Sequence, residues 1–235
     1  MALITTRENY VWHRVHSITG VMPVGYYMVQ HLALNTFSIA GPDKFNGVIE
    51  FFEGMPKHFL LALEVGMIWL PLLFHAVYGL FIISRAENNY FTTKYKWSQN
   101  RMFFLQRLSG VAVFFFLIYH VLATTVQKYV TGSAEVIKYA AMSERFHNPL
   151  ILAIYVVGIL GASYHLGYGL WNFCIRWGIT VKEDAQIRIQ KISAVIFVAL
   201  TLMGWAAIAG FFMHGKSEAP LATQTESGTK INYTR

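Results

Sequence analysis

The sequence predicts an all-α integral membrane protein with five transmembrane helices. Three observations predict this. Hydrophobic residues make up 55% of the 235 positions. Charged residues make up 13%, against about 25% in soluble domains. Apolar runs long enough to cross a bilayer, about 20 residues each, recur along the chain between polar segments. So little polar surface cannot cover a water-soluble globule, and lipid must serve as part of the solvent.

The first span is expected over residues 15–39, closed by Gly41-Pro42. The apolar run that follows the N-terminus is too long for a signal peptide and lacks a small-residue cleavage site, so this helix is expected to remain in the mature protein. The second span is placed at 58–84 and the third at 104–127. The fourth, at 149–175, is opened by His147-Asn148-Pro149, and the fifth runs over 190–213. Pro23 and Pro71 fall inside spans, where neighbouring helices tolerate a kink. Residues 1–215 thus form one membrane domain, and 216–235, rich in Ser, Thr, Glu and Lys, read as a polar tail.

Five spans put the termini on opposite sides, and the positive-inside rule chooses which. With the N-terminus inside, the inner segments hold Arg7, Arg14, Arg85, Lys94, Lys96, Arg101, Arg107, Arg176, Lys182, Arg188 and Lys191. The outer loops hold only Lys44, Lys57, Lys128, Lys138 and Arg145. Eleven against five favours N-inside and C-outside. The net charge of +7 therefore reads as topological, since the basic residues are spread between apolar runs and form no nucleic-acid patch.

Several chemistries are excluded. The single cysteine, Cys174, makes no internal disulfide, zinc site or iron–sulfur cluster. There is no Cys-x-x-Cys-His for covalent heme attachment, and no Gly-x-Gly-x-x-Gly or Walker-type loop for a flavin or nucleotide.

Four histidines lie deep in predicted spans: His31, His75, His120 and His165, one on each of the first four. Ionisable groups at membrane depth are costly and point to function. One buried histidine is ordinarily a packing residue. Four on successive helices suggest paired axial ligands, because two neutral imidazoles saturate a b-type heme iron. Depth chooses the pairs. His75 lies 10 residues before Arg85, and His165 lies 11 before Arg176. At about 1.5 Å per residue both are roughly 15–17 Å from inner-side charge. His31 lies 17 residues beyond Arg14, and His120 lies 13 beyond Arg107, which makes both roughly 20–25 Å deep. His75 is therefore expected to pair with His165 on the inner side, and His31 with His120 on the outer side.

Internal repetition supports the pairing. His75-Ala-Val-Tyr78-Gly79-Leu80 matches His165-Leu-Gly-Tyr168-Gly169-Leu170. Ser17-Ile-Thr-Gly20-Val before His31 loosely matches Ser109-Gly110-Val before His120. The tails Leu32-Ala-Leu-Asn-Thr36 and Val121-Leu-Ala-Thr-Thr125 are also alike. The first two spans look like a unit repeated as the third and fourth. Gly79, Gly110, Gly161, Gly167 and Gly169 flank the ligands and leave room either for a flat macrocycle or for close helix packing.

These segments resemble the diheme cytochrome b anchor of succinate:quinone oxidoreductases, the succinate dehydrogenases and fumarate reductases, in its single-chain, five-helix form. The resemblance covers about residues 10–213. It is carried by His165-x-x-x-Gly169-Leu170-Trp171-Asn-Phe-Cys-Ile-Arg176-Trp177-Gly178-Ile179-Thr180, by Arg14-Val-His16-Ser17-Ile-Thr-Gly20, and by Gln106-Arg107-Leu-Ser109-Gly110. It implies two b hemes held by a bundle of the first four spans, a proximal one near the cytoplasmic face and a distal one beyond it. It also implies a cytoplasmic-membrane location with the N-terminus in the cytoplasm. Partner chains, a flavoprotein with FAD and an iron–sulfur subunit, would carry the dicarboxylate chemistry, so no catalytic residue for that step is expected here. This chain would pass electrons between the clusters and quinone, menaquinone for this type.

Heme propionates are anionic and meet cationic or hydroxyl groups. Near the inner ends of the ligand-bearing spans stand His16, Ser17, Arg14, Arg107 and Arg176, and anchoring at the interface is an equal explanation for the arginines. Quinone reduction needs protons, and Glu53 and Glu64 lie at the outer-heme level. His13, His58, His147 and His214 sit near span ends and read as interfacial. Two other readings stay open. One is the diheme anchor of another quinone-linked enzyme, such as a formate dehydrogenase or hydrogenase. The other is a transporter with a histidine proton relay.

Overall fold

The computed structural model describes residues 4–86 and 98–214, and among them the chain is helical with no strand. Lys94, Lys96 and the 216–235 tail lie outside the described residues. The first helical stretch comprises α1 (Ile4–Thr19), a π-helical turn Gly20–Gly25, and α2 (Tyr26–Asn35). Pro23 accounts for the wide turn, because it lacks the N–H that an α-helical bond needs. A 3₁₀ turn, Thr36–Ala40, then leads to Gly41, whose φ of 99° suits glycine, and Pro42 starts α3 (Pro42–Glu53). The second stretch is α4 (Lys57–Leu63), a π turn Glu64–Trp69 just before Pro71, and α5 (Leu70–Ser84).

The third stretch is α6 (Ser98–Val121), a π turn Leu122–Val126, and α7 (Gln127–Thr131). No proline sits in that last turn. There the Thr124 hydroxyl donates to the His120 carbonyl at 2.6 Å, a back-bond of the kind that bends helices. Asn35 does the same to the His31 carbonyl at 2.7 Å where the first stretch ends. The repeat seen in the sequence thus has a shared physical device one turn beyond each of these histidines. After α8 (Tyr139–Phe146) come α9 (Pro149–Arg176) and α10 (Glu183–Met213). The Asn148 side chain caps α9 by accepting from the Leu150 and Ile151 amides.

Four stretches among the described residues are long and apolar enough to cross a membrane: Lys57–Ser84, Asn100–Thr131, Pro149–Arg176 and Glu183–Met213. They contain the second to fifth expected spans and run past the expected ends. The stretch expected as the first span is helical and long, but it falls short of that apolarity. His16, Ser17, Thr19, Gln30, His31 and Asn35 dilute its hydrophobic residues.

The bundle is arranged for lipid. Leu70, Leu73, Val77, Phe115, Leu122, Val157, Val195 and Leu202 are exposed, while Ser38, Ser163 and Ser193 are fully buried. Small residues let α9 and α10 approach closely: a Cβ on Gly167 would lie 2.9 Å from the Ser193 carbonyl oxygen. The dense core lies at one end, where Phe45, Tyr139, Met142, Phe146, Tyr155, Ile159, Ile208 and Phe211 pack together. α3 and α8, which the outer loops did not announce in the sequence, supply part of it. Tyr139 and Ser143 of α8 donate to the Gly210 and Phe211 carbonyls, and Ser38 donates to that of Ala207. These bonds hold α8 and the 3₁₀ turn against α10.

Candidate functional site

The deep histidines meet in two groups at two levels. His75 and His165 face each other with ring centres 6.1 Å apart at 83°. His31 and His120 face each other at 5.8 Å and 80°. Two imidazoles bound end-on to one metal at about 2 Å each have centres roughly 6 Å apart. Both pairs therefore have a spacing that would let two imidazoles hold one metal-centred group between them.

The first pair shows which ring nitrogen is available. His75 Nδ1 lies 2.9 Å from the His16 carbonyl oxygen, and His165 Nδ1 lies 3.1 Å from that of Gln106. A carbonyl only accepts, so each Nδ1 carries the proton and each Nε2 is a bare lone pair. The two contacts are copies of one another. Each joins residues 59 apart, on elements repeated 90 positions later. The glycines obey the same repeat. A Cβ on Gly20 would come 2.2 Å from the His75 ring, and one on Gly110 would come 3.0 Å from the His165 ring. Gly79 faces His16 as Gly169 faces Gln106. The duplicated pattern is thus a two-fold related packing of helix pairs around the first histidine level. Within these contacts Gln106 stands in the position of His16.

His16 joins this level by stacking on His75 at 4.0 Å and 10°. Around it, Trp177 Nε1 donates to Ser17 Oγ at 2.9 Å, and the Arg14 guanidinium lies over the Trp177 ring. Arg176 stands within electrostatic reach of His13, His16 and Tyr78. His13 Nδ1, Arg14 Nε and the Tyr78 hydroxyl are buried without a protein partner. Such a cluster of orphaned donors fits an anionic group. His13, expected at an interface, joins it by packing edge-on to Tyr78. Arg107 Nε instead donates along its own helix to the Phe103 carbonyl.

At the other level, His31 stacks on Tyr27, and His120 Nδ1 lies 3.2 Å from the Tyr155 hydroxyl. Glu53 pairs with Lys128, and Glu64 accepts from the Tyr129 hydroxyl at 2.6 Å. The two carboxylates thus engage neighbouring residues of one helical turn. Gln106, Tyr78 and Tyr155 were not singled out as site residues by sequence reasoning. Only the Tyr78-Gly79-Leu80 repeat and the Gln106-Arg107 segment hinted at the first two.

Among the described residues no three His, Cys, Asp or Glu side chains converge to hold a bare metal ion. Paired donors suit a group that brings its own equatorial ligands.

Residues 84–204 match the family model of the succinate dehydrogenase/fumarate reductase transmembrane subunit. The chain is also 38% identical over 205 residues to the succinate dehydrogenase cytochrome b558 subunit of Bacillus subtilis (strain 168), covering 87% of this chain and 98% of that one. The chain belongs to the succinate dehydrogenase/fumarate reductase transmembrane subunit family. A more distant member, the fumarate reductase cytochrome b subunit of Helicobacter pylori (strain ATCC 700392 / 26695), is 25% identical over 207 residues, covering 82% of this chain and 78% of that one. Family membership removes the transporter reading and the formate dehydrogenase or hydrogenase reading. The family match takes in α6, α9 and most of α10, and so His120, His165, Gln106 and Tyr155.

Proposed function

We propose that this chain is the membrane-anchor cytochrome b subunit of a succinate dehydrogenase or fumarate reductase, passing electrons between an iron–sulfur subunit and membrane quinone, menaquinone by family resemblance. His75 and His165 would hold the proximal b heme, and His31 and His120 the distal one. The pairing of the four histidines at two levels, with the spacing of opposed ligands, carries this reading. Each bound heme would supply a one-electron iron couple within the low-dielectric core.

The chain's own residues do the rest. The His16 and Gln106 carbonyls hold the proximal ligands in the tautomer that presents Nε2. Arg14, His16, Ser17 and Arg176, with His13 and Tyr78, offer donors for proximal propionates. Arg107 is the less favoured of the family-implied set, given its bond along α6. Glu53 and Glu64 offer titratable oxygens for quinone protons at the distal level, each already held by a neighbour on α7.

The first helical stretch would be the fifth span, its polar residues turned toward the ligand sites. The chain would lie in the cytoplasmic membrane with the N-terminus inside, as the charge asymmetry supports. FAD and iron–sulfur chemistry would reside on a flavoprotein and an iron–sulfur subunit, because this chain has no motif for either. Purification from membranes tests this. A red complex with a sharp reduced alpha band, two heme b per chain, and a co-purifying flavoprotein that oxidises succinate are expected. A colourless chain, or one with no flavoprotein partner, would overturn the reading.

A further inference from the structure

Three of the four deep histidines have a ring nitrogen with a defined partner, and the partners differ in kind. His75 and His165 meet backbone carbonyls. His120 Nδ1 meets a side chain, the hydroxyl of Tyr155, at 3.2 Å, the long end of the hydrogen-bonding range. Tyr155 is 4% exposed and sits in the dense core. Phe146 packs on its ring at 4.9 Å and Phe116 at 5.4 Å, both nearly perpendicular. A phenol in such a core keeps its hydroxyl only where a polar partner repays the desolvation. Its ring is therefore locked, and its oxygen lies between His120 Nδ1 and the Arg145 guanidinium. The adjoining guanidinium of Arg145, on α8, lies close enough to act electrostatically on both residues.

We propose that Tyr155 is the positioning residue of the distal level: its hydroxyl oxygen accepts from His120 Nδ1–H, fixes the ring with Nε2 toward His31, and lowers the potential of the group held there. The inference rests on His120 being an axial ligand. If it is, Nε2 is committed, the proton sits on Nδ1, and the phenol must accept. Accepting that proton's charge makes the imidazole a stronger donor and favours the oxidised metal. The proximal histidines receive the same help chiefly from carbonyls, with Gln106 Nε2 and Ser109 Oγ farther off at 3.4 Å from His165 Nδ1. Tyr155 therefore gives this protein a side-chain handle on the distal level.

The test uses the intact complex in membranes, comparing Tyr155→Phe, Phe146→Leu and His120→Ala by heme content, redox titration and the ferric signals of low-temperature electron paramagnetic resonance. Tyr155→Phe should keep both hemes and raise the distal potential. At a fixed poise the distal reduced-to-oxidised ratio rises about tenfold, or about 59 mV for one electron. The distal ferric signal should shift with it, while the proximal component stays in place. Phe146→Leu, which trims packing but keeps the hydroxyl, should leave both potentials unchanged. Loss of the distal heme in Tyr155→Phe but not in Phe146→Leu also supports the proposal, since only the hydroxyl then separates them. Unchanged potentials in Tyr155→Phe, equal shifts of both components, or heme loss in both variants would overturn it. His120→Ala separates this from the ligand assignment: if that variant keeps the distal component, His120 is not a ligand and the functional reading fails first.

Discussion

Gly20→Ala is the sharpest perturbation of the proximal level. A Cβ at Gly20 would come 2.2 Å from His75 Cε1 and 2.6 Å from Nδ1, far inside van der Waals contact. The His75 ring must move by about 1 Å or more to restore an ordinary separation of about 3.5 Å. That movement breaks the 2.9 Å bond from Nδ1 to the His16 carbonyl. Overpacking costs about 1–3 kcal/mol, and the lost bond costs about 0.5–1.5 kcal/mol. The better helix propensity of alanine returns about 1 kcal/mol. The net is about 2 kcal/mol, or roughly 30-fold weaker holding of the proximal group. Gly110→Ala is milder, because its Cβ would stop 3.0 Å from the His165 ring, and a shift of a few tenths of an ångström relieves it. Gly66→Ala meets nothing within 4 Å and serves as the control. Heme content and redox titration of purified complexes provide the assay. Gly20→Ala should lose the proximal component preferentially, Gly110→Ala should perturb it less, and Gly66→Ala should match wild type. A Gly20→Ala complex with a full and unshifted proximal component would refute the packing argument.

Two further outcomes are expected. Glu53→Gln and Glu64→Gln keep size and hydrogen-bonding capacity but remove the titratable proton. At least one should retain both hemes and dye-linked succinate oxidation while quinone-linked turnover falls by about 10²-fold or more, within the range assigned to a positioned acid–base group. Normal quinone turnover in both would move the quinone site elsewhere. A reporter fused after residue 215 should be active only if it functions outside the cytoplasm, and activity of a cytoplasmic reporter there would invert the topology.

Much of the histidine pairing was legible in the sequence, for a physical reason. A histidine in an apolar run is expensive, so its position along the run is informative, and helical rise turns that position into depth. His75 with His165 and His31 with His120 follow from that arithmetic, and the structure brings the same residues together. The groups that orient these rings were not legible. Gln106 acts through its backbone carbonyl, which every residue has, and Tyr155 reaches His120 across a helix interface 35 residues away. His16 was expected as a propionate partner, but its stacking on His75 depends on how α1 and α5 cross. α3 and α8 were hidden because short amphipathic helices between spans resemble ordinary polar loops. The first stretch illustrates the converse. Its polar residues, His16, Gln30, His31 and Asn35 among them, dilute the apolarity by which a span is recognised.

The four deep histidines are proposed to act as two pairs at two depths. Redox titration of His75→Ala, His165→Ala, His31→Ala and His120→Ala complexes tests this most directly. His75→Ala and His165→Ala should each lack the same potential component, and His31→Ala and His120→Ala should each lack the other. If His75→Ala and His120→Ala lost the same component, the pairing would be contradicted.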